Sequence, residues 1–554
     1  IFLMKSKIFL AALFAASLFG TTACSDFLNE DPKGKLVPGG YFTSQDELNM
    51  SLVSLFTKVT DSQSYTNMMY PQWQGDDITA NPGSNKQACA QLDAFSPSAD
   101  NKGVVAAWNK HYDIIHEANF IIDNAQRTPT SKVELEVALG QAYFWRAYAY
   151  FYLVRVFGPL PINLHNEDDH GTAELSSVEK VYEQILADLM KADSYNLPAT
   201  YKGEPRQMFG ADVYVTQQAV KSTLAAVYMA MAGYPLNKGT EYYAKAAEAA
   251  EAVIQGQKSG KYNTKLEAEW KEIHSMGNNY SLETILGINN SPNRSWSHDS
   301  QLTSTMLFES LGGWGDAWGE IAFWKRMPDG PRKAATYDPK LLKDGKLYDW
   351  WATTDGKSIA EGKKNAVVPE YHPMFSLFTV NDDGKGGQML APYDYSAKKW
   401  RGMLNGRRHR VIRYAEVLLW YAESAARAGK ADLSLAKECL KLVRQRAVEA
   451  GEVDKVHGVS IDAMTADQLA QAAYEEHGWE IAGHWVSMVT RRADQLRMND
   501  LKNTFASRVA NQPVEVAPGF TATEAVPVSG AWNDNMNYVP YPLQETEKNS
   551  RLKR

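Results

Sequence analysis

Cysteine is nearly absent from this chain, with three in 554 residues at positions 24, 89 and 439. Two cysteines as far apart as Cys89 and Cys439 make no disulfide framework, so they are read as buried free thiols, with a single bridge as the alternative. Long apolar runs are also missing. The stretch from Ile8 to Gly20 is too short to cross a bilayer core, which takes about 20 residues, and nothing later is longer. Positive charge is not in excess. The chain carries 58 basic against 65 acidic residues, and removing a leader that holds Lys5 and Lys7 takes the formal charge from -7 to -9, which argues against nucleic acid as a partner.

Catalytic and metal motifs are lacking as well. No G-x-S-x-G elbow occurs, and neither Cys89 nor Cys439 lies in a recognisable nucleophile segment. Glycoside hydrolysis needs two carboxyl groups roughly 5 to 9.5 Å apart on opposite sides of the scissile bond. Asp76/Asp77 and Glu475/Glu476 are sequence neighbours whose side chains diverge, which makes them poor acid–base pairs. His111 and His116 are five apart rather than four and decorate a helix, His165 and His170 sit in an acidic loop, and the Asp382 to Gly387 run reads as a turn rather than a calcium loop. The expectation is a protein that is not an enzyme and holds neither metal nor cofactor.

What is present begins with Met4-Lys5-Ser6-Lys7, the apolar stretch and small residues before Cys24, an export signal over residues 1–23 with Met4 as the expected start. A cysteine at that junction is a lipidation site, so Cys24 predicts a protein tethered to a membrane by acyl chains. Residues 24–43, rich in Pro, Gly, Asp and Glu, suit a tether. Ser44-x-x-Glu47, Ser131-x-x-Glu134 and Ser176-x-x-Glu179 are capping boxes at helix starts. Val178, Tyr182, Ile185, Leu189 and Ala192 share one helical face, with Asp188 off it, and Tyr143 to Val156 is apolar nearly all round until Gly158-Pro159 ends it. Val220–Ala232 with Tyr242–Ile254, and Ile412–Ala428 with Leu433–Ala447, are helix pairs with alanine-rich seams, as in tetratricopeptide repeats. Leu139-Gly140-x-x-Tyr143 and Ala147-x-x-x-Phe151 carry part of that repeat's signature. The predicted architecture is mainly α: a tetratricopeptide-like scaffold over 44–256 and 411–505, a loop-rich ligand-binding insertion over 257–410, and an irregular segment over 506–554.

Sugar rings stack their C–H faces on aromatic side chains and present hydroxyls to polar groups. Trp73, in Tyr70-Pro71-Gln72-Trp73-Gln74-Gly75-Asp76-Asp77, and Trp296, Trp314, Trp318 and Trp324 in the insertion are the candidate stacking residues. Glycines 312, 313, 315 and 319 around Trp314 and Trp318 favour an exposed, adaptable platform, with loop-pinning core aromatics as the alternative. Asp76 and Asp77 are candidates for sugar hydroxyls, and Asn81, Asn293, Arg294 and Asp316 are weaker ones. Trp108, Trp145, Trp420 and Trp479 lie on helical patterns and belong to the core.

Several segments together resemble the SusD/RagB family of outer-membrane nutrient-binding lipoproteins: Cys24-Ser25-Asp26-Phe27-Leu28, Gly40-Tyr41-Phe42, Arg146-Ala147-Tyr148, Arg155 to Pro161, Ile412 to Leu419 with Tyr421-Ala422-Glu423, and Tyr538 to Leu543. In Glu475 to Ala482, His477 stands where the family commonly has arginine, and His484-Trp485-Val486-Ser487 lacks the expected arginine and aspartate; both read as altered internal ion pairs. The resemblance implies a surface-exposed, lipid-anchored glycan-binding protein of the outer membrane. Its implied partner is a SusC-like TonB-dependent transporter, to which it delivers oligosaccharide. Peptide capture by the same fold is the alternative, and a polysaccharide hydrolase or lyase a more distant one.

Overall fold

Helices with one apolar stripe cannot bury it alone, so they stack in pairs around a shared core. The computed structural model describes residues 40–64, 71–166, 173–291, 298–311, 313–337, 340–343, 346–359, 365–378 and 405–552. The export signal, Cys24 and most of the tether, Trp296 with Asn293 and Arg294, and the Asp382–Gly387 run lie outside the described residues. The longer helices are α1 (Gln45–Ser64), α2 (Lys102–Asn124), α3 (Lys132–Phe157), α4 (Val178–Ser194), α5 (Gln217–Ala232), α6 (Thr240–Lys258), α7 (Tyr414–Arg427), α8 (Ser434–Arg444), α9 (Ala466–Glu480), α10 (Arg491–Arg497) and α11 (Leu501–Ala510). α1 packs on α2, α3 lies between α2 and α4, α5 pairs with α6, and α7 packs on α6, α8 and α9. The fold is mainly α and built of tetratricopeptide-like pairs. No helix among the described residues is long and apolar enough to cross a membrane.

α3 explains its own composition. From Val137 to Phe157 every residue except Tyr143 is buried, because α1, α2 and α4 enclose it. Gly140 is needed where Leu197 crosses: a Cβ there would lie 2.7 Å from Leu197 Cδ2. Arg146 enters this core and is satisfied by Asp188 of α4 in a two-pronged pair, Nε–Oδ2 2.9 Å and NH2–Oδ1 2.7 Å, with NH1 donating to Asn119 Oδ1 of α2 at 2.9 Å. Asp188 therefore belongs to the buried face of α4, against the sequence expectation, since a polar residue joins a core when a partner from another helix pays its desolvation.

The serine caps follow the sequence with one shift, but the expected reciprocal boxes do not close, since Glu47 accepts from Thr43 and Glu134 pairs with Arg206. Ser44 Oγ accepts from Glu47 N at 3.3 Å, Ser131 Oγ from Glu134 N at 3.2 Å, but at α4 it is Ser177, not Ser176, whose Oγ accepts from Lys180 N at 3.3 Å. The Ser176 backbone is already engaged in an antiparallel bridge with Leu160. At the other end of α3, Gly158 turns the chain at φ +74° and the ring of Tyr538 fills the space a side chain would need. Val539 N donates to Val156 O at 3.0 Å and Tyr541 Oη to Pro159 O at 2.7 Å, so the closing segment docks on the Arg155–Pro161 segment.

Two ribbons stitch the irregular region to the scaffold. β1 (Ile78–Ala80) pairs antiparallel with β3 (Ala317–Gly319), and β2 (Thr284–Ile288) with β4 (His409–Arg413). Ile412 and Arg413 thus end a strand, and the helix expected from Ile412 starts at Tyr414, where Arg413 N donates to Glu416 Oε1 at 3.0 Å. Beneath this junction lies a buried ion network: Arg413 NH1 to Glu480 Oε1 at 2.7 Å, Arg446 NH2 to Glu283 Oε1 at 2.8 Å, and Arg332 NH1 to Glu476 Oε1 at 2.7 Å and Glu480 Oε2 at 3.0 Å. His477 joins a neighbouring pair as an altered ion contact, with Nδ1 2.5 Å from Asp494 Oδ2.

Trp108, Trp145, Trp420 and Trp479 are core residues, and Cys89 and Cys439 are buried free thiols. His111, placed on the helix surface by the sequence reading, is instead fully buried. Its ring lies flat on Tyr152 at 3.7 Å, and burial lowers its pKa to about 3.

Candidate functional site

The segment after α1 and the tryptophan-rich segment, more than two hundred residues away, meet through β1 and β3. The register sets Ile78 opposite Gly319, Thr79 opposite Trp318 and Ala80 opposite Ala317, and Asn81 N then donates to Asp316 O at 3.1 Å. Behind this ribbon, Arg508 of α11 donates to Gly75 O at 2.7 Å, Ile78 O at 2.6 Å and Asp93 O at 2.8 Å, and its guanidinium also pairs with the Asp93 carboxylate. Asp93 accepts from Thr79 Oγ1 at 2.9 Å and Ala80 N at 3.1 Å. The turn is therefore held by a buried charge pair rather than by its own sequence.

The loop bearing Trp314 is equally fixed. Gly313 N donates to Phe308 O, Trp314 N to Ser304 O at 2.7 Å, Gly315 N to Leu307 O at 2.8 Å and Asp316 N to Thr305 O at 2.9 Å. A Cβ at Gly313 would fall 1.9 Å from Leu307 O, and Gly315 adopts φ +56° with 2.8 Å to Glu309 N. These glycines permit close backbone packing, so the expected adaptable platform is instead a pinned one. The indole of Trp314 is left half-buried, and Ser84 and Asn85 on the facing segment are exposed. Asp316 pairs with Lys86, and Asn81 Oδ1 accepts from Gly83 N at 2.9 Å. Through Asp316, which is buried with Asn81, the Trp314 loop and the segment bearing Lys86 form one rim.

The other sequence candidates stand elsewhere. Trp73 is fully buried with its ring edge-on to Trp485 at 5.1 Å, and so presents no face to a sugar. Trp318 is 4% exposed, 4.9 Å from the His372 ring and 6.0 Å from Phe308, in a satellite core with Ile321, Leu341 and Trp350. It is covered along with the rest of β3, whose three residues are all buried. Trp324 is half-buried against Trp350 at 5.3 Å and Trp351 at 5.6 Å, with Lys333 Nζ 4.7 Å from its ring centre.

Asp76 and Asp77 are structural. Asp76 Oδ1 meets Arg491 Nε at 2.6 Å and Oδ2 meets Arg326 NH2 at 3.1 Å; burial opposes its charge, but Arg491 and Arg326 together hold its pKa below the ordinary value. Asp77 Oδ2 accepts from Gly483 N at 2.9 Å, while burial, aided by the charge of Asp76, raises its pKa to about 7. Neither carboxylate reaches the rim, and their opposite shifts come from a guanidinium that contacts one and not the other. Lys86 carries no signal in the sequence, because a polar loop residue gains a role only when the fold brings it to Asp316 on the Trp314 loop. Among the described residues no group of three or more His, Cys, Asp or Glu is placed to hold a metal ion.

A family model described as "Starch-binding associating with outer membrane" matches residues 26–229, and one described as "SusD family" matches residues 191–554. A SusD-like protein of Bacteroides ovatus is 26% identical over 86% of this chain and 82% of its own length. A structure solved with xylogluco-oligosaccharide superposes with TM-score 0.67 at 19% identity, covering 92% of this chain and 98% of that one. Surface glycan-binding protein A of Bacteroides fluxus superposes with TM-score 0.64 at 20% identity, covering 91% and 97%. The family model spanning most of the chain, with the same fold across its length, establishes that this protein belongs to the SusD family.

Proposed function

We propose that this protein captures oligosaccharide at the rim built by β1, β3 and the pinned Trp314 loop and delivers it to a SusC-like TonB-dependent transporter. The observation that carries the reading is the half-buried Trp314, on a loop fixed by four backbone hydrogen bonds and joined through Asp316 to Asn81 and Lys86. A fixed aromatic ring lowers the entropy lost on stacking, and amide and charged groups at its edge suit hydroxyl donors and acceptors. Trp324 is the second stacking candidate on the described surface, and Trp296 remains a third. Relatives described as surface glycan-binding or solved with xylogluco-oligosaccharide support the ligand class. In this reading Cys24 carries the acyl chains that hold the protein on the outer membrane, facing outward.

The test is calorimetric titration of the leaderless protein with xylogluco-oligosaccharide, other neutral and acidic glycans, and mixed peptides. Saturable glycan binding that Trp314→Ala weakens at least tenfold supports the rim. Glycan binding untouched by Trp314→Ala refutes the rim as the site, and a peptide signal without a glycan one refutes the ligand class.

A further inference from the structure

Helix α2 carries a ring at every fourth position from Trp108 through Tyr112 and His116 to Phe120. Residues four apart advance about 40° around a helix, so the four rings follow a line that winds about 120° around α2 as it rises roughly 18 Å. Trp108 is turned into the core, Tyr112 and Phe120 are half-buried and His116 is exposed. Two clefts run along this line. One, of about 550 Å³, is walled by Tyr41, Ser51 and Ser54 and floored by His116 and Phe120. The other, of about 560 Å³, is floored by Trp108, Tyr112 and Asn119 and closed by Asn163 and the C-terminal Leu552. They meet at His116 and Asn166, whose Nδ2 donates to His116 O at 3.1 Å.

We infer that this joined groove is a second binding site, for a neutral oligosaccharide. It shares the ligand class of the Trp314 rim but none of its residues, so either site can fail alone. The rings are braced: Phe120 from outside the helix, 5.8 Å from Tyr41 and 5.2 Å from Phe42, and Tyr112 by Trp108 of the same helix at 4.7 Å and by its Oη, which donates to Pro161 O at 2.9 Å. Polar groups stand between them. The His116 ring makes no hydrogen bond among the described residues, while Asn109 and the His165–Asp123 pair, Nδ1 to Oδ1 2.8 Å, line the edges.

Two features choose among ligands. Lys110 and Arg127 face Asp113, Glu117, Asp123 and Glu545 across the two clefts, an acidic balance that repels sulfated or uronic chains. The floor is a helix whose backbone groups are bonded internally, so it offers no open strand edge to an extended peptide. The half-buried rings of Tyr112 and Phe120 on either side of the exposed His116, with amide and carboxylate groups between them, match a chain of sugar rings instead.

Native mass spectrometry and calorimetry of the mature chain with xyloglucan-derived oligosaccharides of increasing length test this. Two sugars bound per chain are expected. Trp314→Ala should remove one, and Ser54→Trp, which fills the groove from its wall, should remove the other. His116→Ala, at an exposed position that leaves the fold intact, should weaken the groove site at least fivefold, and its affinity should rise with chain length. One sugar per chain that Trp314→Ala abolishes overturns the groove and leaves the rim standing. A sugar that survives Trp314→Ala but is lost in Ser54→Trp does the reverse. A second site indifferent to both Ser54→Trp and His116→Ala also overturns the proposal.

Discussion

Asp188→Leu should remove the carboxylate that neutralises Arg146 inside the scaffold and leave a guanidinium stranded among α2, α3 and α4. The Arg146 and Asp188 side chains are 5% and 2% exposed, and two hydrogen bonds of 2.9 and 2.7 Å join them. Arg146 would keep its bond to Asn119 Oδ1 at 2.9 Å and the contact with Leu164 O at 3.3 Å, neither of which carries charge. Breaking a buried pair on one side costs about 3–5 kcal/mol, against ~0–1 kcal/mol for an exposed pair. The double variant Arg146→Met/Asp188→Leu, which replaces both charges by apolar groups of similar length, should recover most of that loss. Urea unfolding followed by tryptophan fluorescence on all four proteins gives the coupling energy directly. A cost under about 1 kcal/mol for Asp188→Leu, or a double variant as unstable as the sum of the singles, would refute the assignment of Asp188 to the core.

Trp314 and Trp318, four residues apart, should behave oppositely. Trp318→Ala opens a cavity in the satellite core and should cost about 3–5 kcal/mol, whereas Trp314→Ala should leave the denaturation midpoint almost unchanged while oligosaccharide affinity falls. Gly313→Ala should dislodge the Trp314 loop, seen as faster amide exchange over residues 313–316, because its Cβ would meet Leu307 O at 1.9 Å. Asp77 supplies a pH dependence: its folded pKa of about 7 exceeds the ordinary 3.8, so the fold holds the proton that the unfolded chain releases. That contribution is complete below pH ~4 and is lost as pH rises through about 7. Asp77→Asn, whose amide oxygen can still accept from Gly483 N, should flatten that slope and raise stability at pH 8; an unchanged pH–stability curve would show that the carboxyl is not held neutral.

The helices were legible because their determinants are local. The continuous apolar surface of α3, the stripe of α4, the alanine seams and the stop at Gly158 depend on residues within a turn or two of one another, and the family segments are contiguous blocks. Even so, a cap moved from Ser176 to Ser177 and a helix start moved from Ile412 to Tyr414 because backbone partners from Leu160 and Thr284–Ile288 claimed those residues.

For the site, the clustering of tryptophans, glycines and acidic residues in two loop segments is visible in the order of residues alone. Which of them face water is settled by long-range packing. Burial of an aromatic ring or a carboxylate depends on what arrives from elsewhere in the chain: Trp485 covers Trp73, His372 and Phe308 enclose Trp318, Arg491 takes Asp76, and Gly483 caps Asp77. Trp314 stays half-buried because its loop precedes β3 and is joined, through Asp316, to residues 81–86 brought there by β1.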